Sequence, residues 1–247
     1  MNGIALVTLE LKRSTVAVGE GIRQTIGNQK PEYIRQFFTT VQLVLAGNDS
    51  EGLSYGVIDT PEKYWLRWRL ITDMDPATRA RVTAEAAVAE GRLDQGLAVL
   101  VARHRLLEMI HDFIVFDAGV KKTARPNQYF GVRAAQERMR RREGGIVWHT
   151  QGSGKSMEME LYANQVLTHP SLGNPTIVVL TDRTDLDDQL FGTFQASELL
   201  PEKPFQVGTR EEPAGEPGAR NLWISEQISR SVEPLSTASR SAPLDVR

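Results

Sequence analysis

Two periods of apolar residues alternate along this chain, and they predict alternating strands and helices. Residues 4–11, IALVTLEL, read as a strand. Side chains on a strand alternate faces, so Thr8, Glu10 and Lys12 share one side while Leu9 and Leu11 take the other. Residues 19–29 read as a short helix with Gln24 and Asn28 four apart on one face. Residues 33–45, with Phe37, Phe38, Val41, Leu43 and Val44, predict a second strand beside the first. Residues 76–91 are rich in Ala, Arg and Glu and predict an exposed helix; residues 93–112 carry Leu97, Leu100, Val101, Leu106, Leu107 and Ile110 at helical spacing. An apolar connector follows at 111–117, then a helix over 132–143. Residues 144–148, GGIVW, predict a buried strand. From Ser156 a helix follows, with Met157, Leu161, Tyr162, Val166 and Leu167 on one face and Glu158 and Glu160 in its first turn. Residues 176–180, TIVVL, predict a second buried strand, and the next helix begins near Leu186. After Leu200 the period is lost among Pro, Gly and Ser, and residues 201–247 read as disordered apart from a turn or two of helix at 224–231.

With 247 residues the chain has room for one or two domains and a proper core. The net charge of −2 excludes a global basic field, so any nucleic-acid binding must use local patches. The sequence has no cysteine, which excludes disulfides, thiolate zinc sites and a cysteine nucleophile and fits a reducing, cytoplasmic setting. Residues 1–11 lack the basic start of a signal peptide, and no uncharged apolar run approaches membrane-spanning length, so a membrane role is not expected.

The strongest chemistry lies at HTQGSGKS, residues 149–156. Gly152 and Gly154 permit positive φ and close backbone approach to a ligand, and the following helix start offers free N–H groups. In a phosphate-binding loop Gly152, Ser153, Gly154, Lys155 and Ser156 form the cradle, Lys155 reaches the β- and γ-phosphates, and the Ser156 hydroxyl sits on Mg²⁺. Such a Gly-x-Gly-Lys-Ser/Thr string arises by chance in roughly one chain in a hundred of this size, which favours a nucleotide site over a bare turn. His149 stands where the eight-residue pattern has glycine, a relaxation that points to helicase-type motors.

Glu10 and Lys12 form the Glu-x-Lys half of a metal-dependent nuclease site, in which the carboxylate ligates Mg²⁺ and the ammonium positions water; the competing use of such a pair is a solvated strand face. Tyr64, Trp65 and Trp68 read as core edge, with a base-stacking platform as the other use. Arg138, Arg140, Arg141 and Arg142 read as a solvated helix end or a phosphate contact. Asp112 and Asp117 fit caps and turns, and the four histidines show no metal-ligand spacing. Thr181, Asp182 and Arg183 follow the carboxyl end of the second strand, where ligands bind in parallel sheets.

Taken together, TLELKRS, EGIRQTIGNQ, YGVIDTPEKYWLRWR, LLEMIHDFIVFDAGVKK, NQYFGV, GGIVWHTQGSGKS and TDRTDLDDQLFGTF resemble the restriction (R) subunit of type I restriction–modification enzymes over about residues 3–197. The resemblance implies an α/β fold in four parts. These are a partial PD-(D/E)xK-like nuclease sheet at 1–73, a helical connector at 74–120, the first half of a RecA-like parallel sheet at 121–200, and the tail at 201–247. It implies Glu10, Lys12 and Gln24 as nuclease residues, although Asn28 stands where the family's Gln-x-x-x-Tyr element has tyrosine. It implies Gln128 as the adenine reader, Lys155 and Ser156 at ATP and Mg²⁺, and Glu10 at a second Mg²⁺. The implied activity is ATP-dependent translocation on double-stranded DNA with Mg²⁺-dependent cleavage, in company with methyltransferase and specificity subunits. The family's nuclease needs an Asp upstream, and no acidic residue precedes Glu10; its motor needs a second acidic loop and a second lobe, and neither follows. A truncated product is therefore expected, its tail in or out of frame. The alternatives are a non-catalytic remnant that docks on the methyltransferase–specificity core, and an unrelated phosphate-loop ATPase.

Overall fold

The computed structural model describes residues 3–68, 76–87, 89–173, 175–180, 184–201, 203–207 and 222–225. Its first unit is a four-stranded sheet in the order β1-β2-β3-β4, built from β1 (Val7–Leu11), β2 (Leu43–Asn48), β3 (Gly52–Gly56) and β4 (Leu66–Arg67). β1 and β2 are parallel, with Glu10 opposite Ala46, and the other pairings are antiparallel. A parallel pair needs a crossover. Here it is α1 (Val18–Asn28) followed by a 3-10 turn at Arg35–Thr39. The second strand is therefore shorter than expected. Residues 33–39 carry Tyr33, Ile34 and Phe37 in exposed positions with no alternation, and only Phe38 turns inward, so the run makes a turn and pairing begins at Leu43.

All six residues of β2 are buried, because both faces of the sheet are covered. Val44 and Ala46 lie toward α1 and the Phe38 turn, while Leu43 and Leu45 enter the main core. The predicted alternation on β1 holds with an unexpected sense. The polar face, Glu10 and Lys12, lies under α1, and Leu9 and Leu11 are the exposed ones.

α2 (Pro76–Ala86), α3 (Arg92–Leu100) and α4 (Arg103–Asp112) form the connector. The single helix expected over 93–112 breaks at Val101 and Ala102, where Ala102 is extended. The break is held by Arg105, 1% exposed, whose Nη1 donates to Val99 O at 3.2 Å and to Glu85 Oε2 at 2.8 Å. A cation on the terminal carbonyls of α3 satisfies groups a helix end leaves free. The expected connector at 111–117 contains β5 (Ile114–Asp117), which pairs with β6 (Val120–Thr123). Ala118 and Gly119 both have positive φ, as a two-residue hairpin turn of matching twist requires.

α5 (Pro126–Arg140) starts six residues earlier than predicted. Pro126 at its first position fixes a helical φ where no N–H is needed. α6 (Lys155–Leu167) and α7 (Thr184–Ala196) flank β7 (Ile177–Leu180). Two strands lie inside the segment read as a disordered tail, β8 (Phe205–Val207) and β9 (Leu222–Ser225), and they join β7 in an all-parallel sheet of order β7-β9-β8. Leu222 is fully buried against Leu190 and Phe194, which is why the tail's apolar residues order there. The helical reading of 224–231 is thus replaced by strand up to Ser225; its remainder, the rest of the tail and the expectation for Thr181–Arg183 lie outside the described residues.

The strand predicted at 144–148 does not form. Those residues are extended loop, with Ile146 89% and Trp148 88% exposed. A strand is stabilised by a neighbour that pairs its N–H and C=O groups, and no described strand lies beside this run. β7 is likewise only half covered, with Val178 and Leu180 exposed. One hydrophobic cluster nevertheless runs from Leu45 and Tyr55 of the first sheet through Leu100 and Phe113 to Tyr129 and Leu161 of α5 and α6. Among the described residues no helix is long and apolar enough to cross a membrane.

Candidate functional site: a glycine loop and a Glu-Lys-Gln cluster

The loop between Thr150 and Lys155 is shaped from two sides. Gly152 and Gly154 have φ of +76° and +86°, and Gly154 caps α6 in the left-handed region. A side chain at 154 is excluded twice over: by φ, and because a Cβ there would lie 2.5 Å from Gln128 Nε2. From α5, three successive loop carbonyls are held. Arg125 Nη1 donates to Gly152 O at 3.3 Å, Asn127 Nδ2 lies 3.5 Å from Ser153 O, and Gln128 Nε2 donates to Gly154 O at 2.8 Å. A trans peptide sets each C=O opposite the next N–H, so the N–H groups of Ser153, Gly154 and Lys155 face away from α5. The Ser153 N–H bonds Thr150 O at 3.3 Å. Those of Gly154, Lys155, Ser156 and Met157 have no backbone acceptor among the described residues; the last three belong to the first turn of α6, where helices leave donors free.

Lys155 bends back over the loop, its Nζ donating to His149 O and Thr150 O at 3.0 Å each. The Ser156 hydroxyl is half-buried one position further on. Gln128 is 1% exposed, and its Oε1 also accepts from the Arg125 N–H at 2.8 Å. The amide thus ties α5 to the loop and retains one N–H and one lone pair of its four hydrogen-bonding sites. The sequence pointed to Gln128 but not to Arg125 or Asn127; three polar side chains at the start of a Pro-initiated helix were the available signal.

His149 is mostly buried, and its Nδ1 lies 2.8 Å from Glu158 Oε2. Burial pushes the Glu158 carboxyl above the ordinary range, while His149 and Lys155 oppose that shift.

The second cluster lies on β1 under α1. Lys12 Nζ donates to Glu10 Oε1 at 3.0 Å and to Gln24 Oε1, so the three residues named from the sequence come together. Gly21 makes this possible: a Cβ there would lie 3.3–3.4 Å from Lys12 Cγ, Glu10 Cγ and Ala46 Cβ. Asn28, one turn further along α1, takes no part in this hydrogen-bonded group. Glu10 is the one carboxylate here, and the described residues contain no group of three His, Asp or Glu able to hold a metal.

Most of the remaining candidates make contacts within the protein. Trp68 packs against Tyr55, Tyr129 and Phe130, Trp65 Nε1 donates to Thr60 O at 3.1 Å, and Tyr64 stays exposed beside Lys63. Arg138, Arg140 and Arg141 bond Glu143 and Glu137, as a solvated helix end does. Asp112 Oδ1 bonds His111 Nδ1 at 2.5 Å, and Asp117 accepts from Lys122 across the hairpin.

Comparison with known proteins follows the same division. Residues 1–63 match the family described as type I restriction enzyme R protein N terminus, and residues 127–214 match SWI2/SNF2 ATPase. The HindI endonuclease subunit of Haemophilus influenzae is 33% identical over 229 residues, covering 86% of this chain and 21% of that protein. The chain is therefore homologous to type I restriction enzyme endonuclease subunits. The putative MjaIXP endonuclease subunit of Methanocaldococcus jannaschii is 38% identical over 114 residues, 42% of this chain and 11% of that one. The SauCOLORF180P endonuclease subunit of Staphylococcus aureus is 25% identical over 190 residues, 76% of this chain and 19% of that one. The R-subunit homologue thus spans about a fifth or less of the length of these relatives. Its glycine loop falls in the ATPase match and its Glu-Lys-Gln cluster in the R-protein match.

Proposed function

We propose that the chain binds a nucleoside triphosphate at residues 149–156 and serves as the nucleotide-binding part of a type I R-subunit motor. The observation that carries this is the set of N–H groups at Gly154–Met157 left without backbone acceptors among the described residues, those of Gly154 and Lys155 facing away from the carbonyl contacts made from the start of α5. Those groups and the helix dipole hold phosphate oxygens. Lys155 exchanges two neutral carbonyls for phosphate charge, and the exchange favours phosphate because charge-assisted hydrogen bonds are the stronger ones. The Ser156 hydroxyl fits a Mg²⁺ ligand, and the ion would neutralise phosphate charge there. Gln128, buried and bonded to Gly154 O, must turn out of the loop to present its amide to the N7/N6 edge of adenine, and ATP is the nucleotide that amide would select.

The N-terminal cluster supports a second part of the reading, a contribution to DNA cleavage by Glu10, Lys12 and Gln24. One carboxylate falls short of the ligand set that a Mg²⁺ nuclease centre needs, so no cleavage step is derived from these residues. Double-stranded DNA and the methyltransferase and specificity subunits are the proposed partners, in the cytoplasm. The alternative, a non-catalytic module that docks on that core, predicts no Mg²⁺-dependent nicking of supercoiled plasmid. Binding of a fluorescent ATP analogue with Mg²⁺ tests the main reading. Lys155→Ala removes a charged hydrogen-bond donor worth about 1.5–3 kcal/mol and is expected to weaken binding about tenfold to a hundredfold. Unchanged affinity removes the loop assignment.

A further inference from the structure

We propose that Glu158 is a positioning residue for the phosphate loop, acting through His149, and that Gly131 leaves the room this pair needs. This rests on the nucleotide-binding reading above and names the residues that set the geometry of that site.

The usual loop begins with glycine, and here the position carries an imidazole. A ring at the loop entrance must be placed, and its placement is visible. Glu158 sits on the first turns of α6, 5% exposed, with Oε2 at 2.8 Å from His149 Nδ1. The backbone N–H of Glu158 bonds Gly154 O at 3.1 Å, so the same residue touches both ends of the loop. On the far side lies Gly131 of α5, where a Cβ would lie 1.9 Å from Glu158 Oε1 and 3.2 Å from His149 Cε1. Any other residue at 131 displaces the carboxylate. His149 in turn presents the carbonyl that, with that of Thr150, receives Lys155 Nζ. The dyad therefore fixes the two carbonyls on which the lysine rests before phosphate arrives. A carboxylate buried on one edge without a hydrogen-bond partner, as Glu158 Oε1 is, costs stability. An apolar residue would avoid that desolvation cost, and the ring contact is the only hydrogen bond this carboxylate makes among the described residues.

The test is a double-mutant cycle on affinity for the fluorescent ATP analogue with Mg²⁺, using Glu158→Ala, His149→Gly and both together. Glu158→Ala is expected to weaken binding about tenfold, the worth of one hydrogen bond to a charged group. In the His149→Gly background, where the loop has the usual glycine, the same change is expected to have less than a twofold effect. Glu158→Gln, which keeps a partner for Nδ1, restores most of the affinity, and Gly131→Ala reproduces the Glu158→Ala loss. Equal effects of Glu158→Ala in both backgrounds would overturn the proposal, since a merely structural carboxylate acts regardless of residue 149. Hydrogen exchange across residues 146–156 without nucleotide reads the loop separately. Faster exchange in Glu158→Ala, and not in Glu158→Gln, is expected; no difference from the parent chain overturns the proposal. If the parent chain binds no nucleotide, the nucleotide reading fails, and the exchange measurement still decides the role of the dyad.

Discussion

Tyr55→Phe tests whether the first sheet and the glycine-loop half of the chain unfold as one body. Tyr55 is fully buried on β3, and its hydroxyl donates to Ala124 O at 2.9 Å across 69 residues of sequence. Ala124, also fully buried, lies between β6 and α5. The substitution keeps the ring, which packs 5.8 Å from Trp68 by centroids, and deletes only the donor. It leaves a buried carbonyl without that donor, a loss of about 1–3 kcal/mol. At roughly 2–4 °C per kcal/mol for a chain of this size, the melting temperature falls by several degrees. The assay is urea and thermal unfolding followed by two probes: tryptophan emission in a background with Trp148 and Trp223 replaced by Phe, which leaves Trp65 and Trp68 of the first unit as reporters, and far-ultraviolet circular dichroism, weighted to the helices. Both midpoints are expected to move together, because one cluster joins Leu45 and Tyr55 to Tyr129 and Leu161. Residues 1–73 and 121–200 would be separate folding units if one probe moved and the other did not, and the continuous-core argument would then fail.

Three further outcomes follow from the same contacts. Arg105→Ala leaves Glu85 without its partner at 2.8 Å and Val99 O without its donor, and is expected to cost about 3–5 kcal/mol in a urea melt; Arg105→Met, which refills the space beside Trp68 and Tyr129, costs less. Burial raises the Glu160 carboxyl above its ordinary 4.5, so the folded state holds that proton longer than the unfolded state and stability falls as pH rises from about 4.5 through the folded value. Glu160→Gln is expected to flatten that segment of the stability–pH curve, provided the bond from Ser197 survives; an unchanged slope in denaturant melts counts against it. A Gly47→Val chain is expected to lose about 1–3 kcal/mol, since a Cβ at 47 lies 2.5 Å from Leu93 Cδ1 and 3.0 Å from Gly52 O.

What could be read in advance followed from local chemistry. α1, α6 and β7 were legible from period and flanking residues, and the shared face of Glu10 and Lys12 from strand alternation; that Gln24 joins them was implied only by the family resemblance. Misreadings occurred where a segment depends on partners far away in the chain. IVW at 146–148 has strand composition, but composition supplies no ladder, and with no neighbouring strand among the described residues the run stays loop. Conversely, LWIS at 222–225 sits in a Pro- and Gly-rich stretch and still forms β9, because β7 and β8 pair with it on both edges. The break between α3 and α4 was invisible for a similar reason: Val101 and Ala102 are acceptable in a helix, and it is the inward turn of Arg105 that makes the break stable.

The two halves of the molecule meet on adjacent residues of α5. Gln128 holds Gly154 O of the phosphate loop, and Tyr129 stands among Arg105, Glu108, Trp68 and Phe113 in the aromatic cluster under the first sheet. Neighbours on a helix point about 100° apart, so a helix can serve two clusters only if it lies between them, as α5 does. Rotation or displacement of its first turn, when a ligand draws Gln128 away from Gly154, necessarily strains the Tyr129 packing, because close-packed interiors transmit displacement rather than absorb it. The residue that would read adenine is therefore covalently next to the one that anchors the sheet carrying Glu10 and Lys12. Tyr129→Leu should then alter hydrogen exchange of the glycine loop at residues 149–156 without touching it, whereas an exchange pattern identical to the parent would mean that α5 supports both clusters but carries nothing between them.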